Sequence, residues 1–108
     1  MESLVSIIVL TYNSAAFVRE TLESVKSQSY RNIELIITDD HSKDDTVEIC
    51  TSWLSDNKNR FTRVELLISE KNTGIPANCN RGVAASGGEW VKLIAGDFWL
   101  NVYADSLN

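Results

Sequence analysis

The chain is short of the residues from which small metal-held or disulfide-held domains are built. Its 108 residues include 1 histidine and 2 cysteines. With His41 alone, a multi-histidine metal site is excluded. Cys50 and Cys79, with no C-x-x-C between or beside them, support neither a zinc site nor a disulfide framework. Proline occurs once and glycine 5 times, which rules out a collagen-like or Pro/Gly-rich low-complexity chain. Apolar runs are short, and the one around Ile7-Ile8-Val9-Leu10 falls far below a bilayer span. Basic charge is also scarce: 10 Lys+Arg stand against 15 Asp+Glu, a formal net charge of −5. An acidic chain without a basic run is ill suited to gripping nucleic acid or an anionic membrane. One phosphorylated small molecule stays admissible, because a metal ion or a local dipole can hold it. Met1-Glu2-Ser3-Leu4 carries an acid and no basic stretch of the targeting type. The expectation is a reduced, cytoplasmic chain that meets the inner face of a membrane only indirectly.

What is present is an ordinary globular composition, 44% hydrophobic and 23% charged, in a length that suits one domain. Residues 4–10 are β-branched and almost continuously apolar, the pattern of a strand buried on both faces. Ser14 is placed to cap a helix running to about Gln28, with Val18, Leu22 and Val25 as its apolar stripe. Residues 33–38 read as a second strand, stopped by Asp39-Asp40. Ser42-x-x-Asp45 resembles a capping box for a helix with Val47, Cys50, Trp53 and Leu54 on one side. Residues 56–60 read as a polar connection and 64–68 as a third strand. Ile75-Pro76 opens a third helix that reaches about Ala85, and Gly87-Gly88 ends it. Residues 89–94 are a fourth strand. The order βαβαβαβ predicts an α/β, Rossmann-like three-layer sandwich with a mostly parallel sheet.

Such sheets bind ligands beyond the carboxyl ends of their strands, so the polar residues there are the candidates. After the first strand stand Thr11, Tyr12 and Asn13. A tyrosine ring can stack on a flat base or merely cover the sheet edge, and Asn13 can shape a turn or hold a ligand. After the second stand Asp39 and Asp40. An ionised carboxylate only accepts hydrogen bonds, so it can accept from uracil N3–H and would reject cytosine; it can equally cap a helix or a turn. After the third come Asn72-x-Gly74, then Asn78 and Asn80-Arg81-Gly82, where Arg81 is either a phosphate ligand or a solvated helical charge. After the fourth comes Ala95-Gly96-Asp97, whose carboxylate suits a divalent cation.

In this order and spacing the segments resemble the N-terminal part of the inverting family-2 glycosyltransferases of GT-A fold. Those segments are residues 5–13, Leu22-Glu23-Ser24-Val25, Gln28-Ser29-Tyr30, residues 33–42, Asp45-Thr46, Asn72-Thr73-Gly74, Asn80-Arg81-Gly82 and Gly88-Glu89-Trp90. The resemblance implies transfer of a sugar, with inversion, from a nucleotide donor such as a UDP-sugar to a saccharide or lipid-linked acceptor. The setting implied is polysaccharide synthesis. It assigns Leu10, Thr11, Tyr12, Asn13, Asp39, Asp40, Asn80, Arg81 and Gly96 to the nucleotide-sugar, with Leu10 and Tyr12 flanking the base and Asp40 reading uracil. It assigns Asp97 to Mn2+ or Mg2+, as the second acid of a D-x-D motif. Three positions depart from the family: Ala95 replaces the first acid, Cys79 an arginine, and Phe98 a further acid. Members of the family continue beyond the length of this chain into an acceptor-binding half that supplies the catalytic base. Residues 1–108 are therefore expected to be the nucleotide-sugar-binding part, inactive by itself, and Asp105 has no motif to mark it as the base. Phe98, Trp99 and Tyr103 would then form an apolar patch favouring self-association. A non-catalytic nucleotide-binding or interaction module is the alternative. A phosphoacceptor receiver domain fits less well, because its acid pair would follow the first strand.

Overall fold

The structure, a computed structural model, describes residues 2–95 and 98–100. Gly96, Asp97, Tyr103, Asp105 and the side-chain patch at Phe98 and Trp99 lie outside the described parts. Strands β1 (Val5–Thr11), β2 (Ile33–Asp39), β3 (Arg63–Ile68) and β4 (Trp90–Ala95) alternate with helices α1 (Val18–Lys26), α2 (Thr46–Asn57) and α3 (Ile75–Ala85). They form one sheet in the order β3-β2-β1-β4-β5, where β5 is Phe98–Leu100. The first four strands are parallel, and β5 joins β4 antiparallel. This is the α/β, Rossmann-like architecture that the sequence predicts, with one edge strand it does not mark.

The layers follow from the alternation of side chains along each strand. Ile7, Val9, Leu35 and Ile37 face α1 and α2, where they pack with Val18, Leu22, Val25, Cys50 and Trp53. Ile8, Leu10, Ile36, Val91 and Leu93 face α3, packing against Cys79 and Ala85. All seven residues of β2 are buried, as expected for a central strand covered on both sides. Helix α3 connects β3 to β4 across β2 and β1. It lies so close to the sheet that a Cβ on Gly82 would stand 2.5 Å from Ile8 Cγ2 and 3.1 Å from Thr38 Cγ2.

Two predicted helix starts are displaced. Helix α1 begins at Val18, not just after Ser14, because the Ser14 side chain is engaged elsewhere. Its hydroxyl accepts from the Tyr12 N–H, and its own N–H donates to Thr46 Oγ1. The Ser14 carbonyl still receives the Phe17 and Val18 N–H groups. The Ser42–Asp45 capping box does not form. Asp44 takes its place, accepting from the Thr46 N–H, while Ser42 donates to Asp39. Consequently Thr46 is buried and Val47 only half-buried. Residues 56–60 are more ordered than a plain connection: α2 runs to Asn57 and a single 3₁₀ turn, Lys58–Arg60, follows. Trp53 is core, as predicted, with its Nε1–H donating to Glu23. Cys50 is fully buried and Cys79 partly so, and both are free thiols.

At the N-terminal edge of the sheet, Glu34 is a buried carboxylate that the apolar run around it hides. It accepts from Ser6 Oγ, Arg63 Nη1 and the Gly87 N–H. Gly88 N–H donates to Ser6 Oγ, and a Cβ on Gly88 would stand 2.7 Å from the Ser6 nitrogen. The turn after α3 is thereby fastened to β1 and β2.

Two outcomes are expected. Gly82→Ala overpacks the α3–sheet contact, by about 1–3 kcal/mol, and regains up to about 1 kcal/mol of helix propensity. Urea unfolding should show a net loss. Glu34→Gln should cost about 1–3 kcal/mol near neutral pH, through its stranded donors. Burial pushes the Glu34 pKa up, but the Gly87, Ser6 and Arg63 hydrogen bonds overcome this and hold it below the ordinary value. Its stabilisation is therefore complete above the unfolded glutamate value and lost as pH falls through the folded one. The gap between wild type and Glu34→Gln should close on acidification.

Candidate functional site

Because the four parallel strands are in register, their carboxyl ends line up: Thr11 beside Asp39, Asp39 beside Ile68, and Leu10 beside Ala95. The chain builds outward from β1 in both directions, through β2 and β3 on one side and β4 on the other. That makes β1–β4 the point where the sheet splits its connections, a place where a crevice forms above the strand ends. A cleft of about 510 Å³ lies there. Leu10, Thr11 and Tyr12 form its floor and one wall, and Ala95 adds the end of β4. Asp40, Asn72, Gly74 and Ile75 line the cleft from the segments after β2 and β3. Ser14, Phe17 and Asn78 complete it. Tyr12 is 44% exposed and Ile75 72%, so an aromatic ring and an aliphatic side chain stand open at the cleft.

The structure brings Leu10, Thr11, Tyr12 and Asp40 together in the cleft, and places the other candidates around it. Asn13 lies outside the lining. Its φ is 51°, its N–H donates to Ser42 Oγ, and its side-chain oxygen accepts from the Lys43 N–H. Asp39 is buried behind the wall. Its carboxylate accepts from Thr11 Oγ1 at 2.6 Å, from Ser42 Oγ at 2.6 Å and from the Ser42 N–H at 2.8 Å. Together these contacts tie the β2–α2 loop to the end of β1. Asn80 is exposed on α3, away from the cleft. Arg81 sits behind Asp40 and does not line the cleft. Gly96 and Asp97 follow Ala95 but lie outside the described residues. His41, with φ of 72°, meets the Ser69 carbonyl through Nδ1 and shapes the loop.

Asp40 has the richest surroundings. It is buried, and accepts from the Thr73 N–H, the Thr73 hydroxyl at 2.6 Å and the Gly74 N–H at 2.8 Å. Arg81 Nη1 stands 3.8 Å away. Burial alone would raise its pKa; the Thr73 and Gly74 hydrogen bonds, with the Arg81 charge, reverse this and hold it below the ordinary aspartate value. A carboxylate that stays charged in a half-enclosed cleft can accept a hydrogen bond from a ligand N–H or O–H and repels an anion. Burial, reinforced by the Asp39 charge, pushes the Cys50 thiol up to about 12, which removes it as a nucleophile. Among the described residues no group of three or more His, Cys, Asp or Glu gathers to hold a metal ion. No helix among them is long and apolar enough to cross a membrane.

Sequence reasoning missed Phe17 and Ile75 as parts of the cleft. The signal available was topological: the β1–α1 loop and the first turn of α3 both rise from strand ends that the register aligns.

Residues 6–104 match the sequence model of Glycosyl transferase family 2. Glycosyltransferase GlyG of Streptococcus pneumoniae serotype 4 is 32% identical over 97 residues, which cover 90% of this chain and 31% of that protein. WfaP of Escherichia coli is described as a UDP-Glc:alpha-D-GlcNAc-diphosphoundecaprenol beta-1,3-glucosyltransferase. It is 34% identical over 98 residues, covering 90% of this chain and 37% of that protein. The crystal structure of S. aureus TarS 1-349 in complex with UDP-GlcNAc superposes with a TM-score of 0.76 at 29% identity. The match covers 87% of this chain and 26% of that one. The chain thus spans about a third of the length of these relatives.

The Asp39 contacts make a stability prediction. Asp39→Ala leaves the Thr11 hydroxyl and the Ser42 N–H without their acceptor and should cost about 2–3 kcal/mol in urea unfolding. Ser42→Ala removes one of the three bonds and also the acceptor of the Asn13 N–H, and should cost about 1–2 kcal/mol.

Proposed function

The chain belongs to glycosyl transferase family 2, and on that premise we propose that its cleft binds the nucleoside diphosphate of a sugar donor, uridine being the base. The observation that carries the reading is the pairing of the open Tyr12 ring with the acceptor-only Asp40 carboxylate in one cleft. A ring supplies a stacking surface for any base. A carboxylate selects a base that offers an N–H, as uracil does at N3. TarS, which binds UDP-GlcNAc, and WfaP, which is named for a UDP-sugar, support uridine over other bases.

The residues of this chain then have the following roles. Tyr12 stacks on the base and Leu10 packs its edge. Thr11 lines the cleft beneath the nucleotide. Asp39 holds the β2–α2 loop, with Asn13 clamping the same loop from β1. Asn80 and Arg81 stand on α3 outside the cleft lining and bear on the nucleotide only indirectly. Gly96 and Asp97 follow the cleft residue Ala95 in sequence. One carboxylate there suits Mg2+ or Mn2+, whose remaining oxygen ligands would come from the diphosphate and water. When bound, that ion neutralises charge on the departing diphosphate. The reaction proposed for the whole enzyme is inverting transfer to a saccharide or lipid-linked acceptor in polysaccharide synthesis. The chain spans about a third of the length of its relatives, and the role proposed for residues 1–108 is donor binding.

Calorimetric titration of UDP into the chain, with and without Mn2+, tests this. Binding should be metal-dependent. Tyr12→Ala should weaken it by about 1–3 kcal/mol. Asp40→Ala should weaken it similarly, and Asp97→Ala should remove the metal dependence. Absence of binding by a sample shown by circular dichroism to be folded would sink the donor-site reading.

A further inference from the structure

We propose that Arg81 is a positioning residue for Asp40: it sets the direction of the Thr73 hydroxyl and balances the Asp40 charge without bonding the carboxylate itself, so that the carboxylate can meet an N–H of the bound base. The inference rests on the donor-site reading above.

The argument is one of hydrogen-bond counting. Arginine only donates. Arg81 Nη2 lies 2.8 Å from Thr73 Oγ1, and Arg81 Nη1 lies 2.8 Å from Asn78 Oδ1. Thr73 Oγ1 must therefore accept from Arg81, so its single hydrogen is directed to Asp40 Oδ1, 2.6 Å away. The same logic fixes the Asn78 amide. Its oxygen accepts from Arg81 and from Thr38 Oγ1 at 2.7 Å, which leaves its nitrogen to donate to the Thr38 carbonyl at 3.0 Å. Asn78 is buried between α3 and β2, so the guanidinium is anchored to the sheet through it.

An ionised carboxylate offers about four lone-pair sites. Three hydrogens reach them: the Thr73 hydroxyl on Oδ1, the Gly74 N–H on Oδ2, and the Thr73 N–H shared between Oδ1 at 2.9 Å and Oδ2 at 3.1 Å, so a ligand N–H has to compete only for the shared position. At 3.8 Å the Arg81 nitrogen is beyond hydrogen-bond range and takes none, while its charge still favours the ionised form. Had the guanidinium bonded Asp40 directly, a fourth hydrogen would crowd the carboxylate and a ligand N–H would have no shared position to take. Without the guanidinium, the Thr73 hydroxyl would be free to turn toward another acceptor and the loop carrying Asn72 and Gly74 would lose its tie. Arg81 thus acts on the ligand through Asp40, from outside the cleft.

The test compares UDP and CDP binding by wild type, Arg81→Met, Arg81→Lys and Thr73→Val, with amide hydrogen exchange at Thr73 and Gly74 measured in the free protein. Cytosine presents an acceptor where uracil presents N3–H, so the UDP/CDP affinity ratio reads the Asp40 acceptor. Arg81→Met should speed exchange of both amides and lower the ratio roughly tenfold. Arg81→Lys, which keeps the charge with a single point donor, should recover part of the ratio. Thr73→Val should lower the ratio as well, and the double variant Arg81→Met/Thr73→Val should lose little more, because both cut one link. If Arg81→Met weakens UDP and CDP equally, the arginine touches phosphate or only stabilises the fold, and the proposal is overturned. Unchanged exchange at Thr73 and Gly74, or equal affinity of wild type for the two nucleotides, overturns it too. If folded wild type binds neither nucleotide, the donor-site reading fails by itself; the exchange data then decide the Arg81 link, faster exchange upholding the positioning of Asp40 and unchanged exchange refuting it.

Discussion

Two carboxylates in succession at the end of a central strand cannot share a face, and the site depends on that constraint. Neighbouring side chains along extended backbone point to opposite sides of a sheet. Asp39 goes toward the α1–α2 layer, where it gathers Thr11 and Ser42. Asp40 goes toward α3, where it gathers Thr73 and Gly74. Each acid organises the loop on its own side: the β3–α3 loop held by Asp40 contributes Asn72 and Gly74 to the cleft, while the β2–α2 loop held by Asp39 braces the end of β1 beside it. Like charges at adjacent positions would repel in a shared environment. Here each has its own set of donors, on its own side of the sheet.

The polar groups around the cleft are closely matched. Among the described residues, no buried side-chain nitrogen or oxygen lacks a partner. That is the usual state of a folded interior, but it narrows what a ligand can do at the cleft wall. A ligand group has to meet capacity left over at groups already engaged, or the backbone and side chains that stand open, Tyr12 and Ile75 among them. The walls are rigid for the same reason. The β1–α1 loop is fastened to α2 through Ser14 and Thr46, and the β2–α2 loop is fastened to β1 through Asn13.

The strands and their order were legible in the sequence because a sheet covered on both faces needs continuous apolar runs, and the β-branched stretches at residues 5–10 and 33–38 can satisfy little else. The start of the third helix was legible, since Pro76 suits a first turn; its end at Ala85 comes not from a glycine stop but from Ser86 turning extended, with Gly87 and Gly88 outside the left-handed region. Residues that act through distant partners were not legible. Ser14 and Ser42 look like caps locally, yet each spends its hydroxyl on a neighbouring loop. Glu34 looks like a polar interruption of a strand, and only the fold brings Ser6, Arg63 and Gly87 around it. Strand β5 had no signal of its own, because three residues pairing with β4 carry no periodicity. In the site, Tyr12 and Asp40 could be found from position alone, whereas Phe17 and Ile75 needed the register of the strands. The carboxylate assigned to a metal, Asp97, rests on the family pattern alone.

Strand β2 and the residue after it carry a carboxylate at each end, Glu34 and Asp40, and the two hold opposite ends of the same helix. Asp40 takes the N–H groups leading into α3, and Glu34 takes the Gly87 N–H just beyond its last turn. The strand from one acid to the other spans roughly 20 Å, and the 11 residues of α3 rise about 16 Å. One residue added to or removed from this helix would turn its far end by about 100° and move it by about 1.5 Å. Gly82 would then leave its seat on Ile8, and only one of the two acids could keep its partners. This segment can therefore vary at its exposed positions across evolution but not in length.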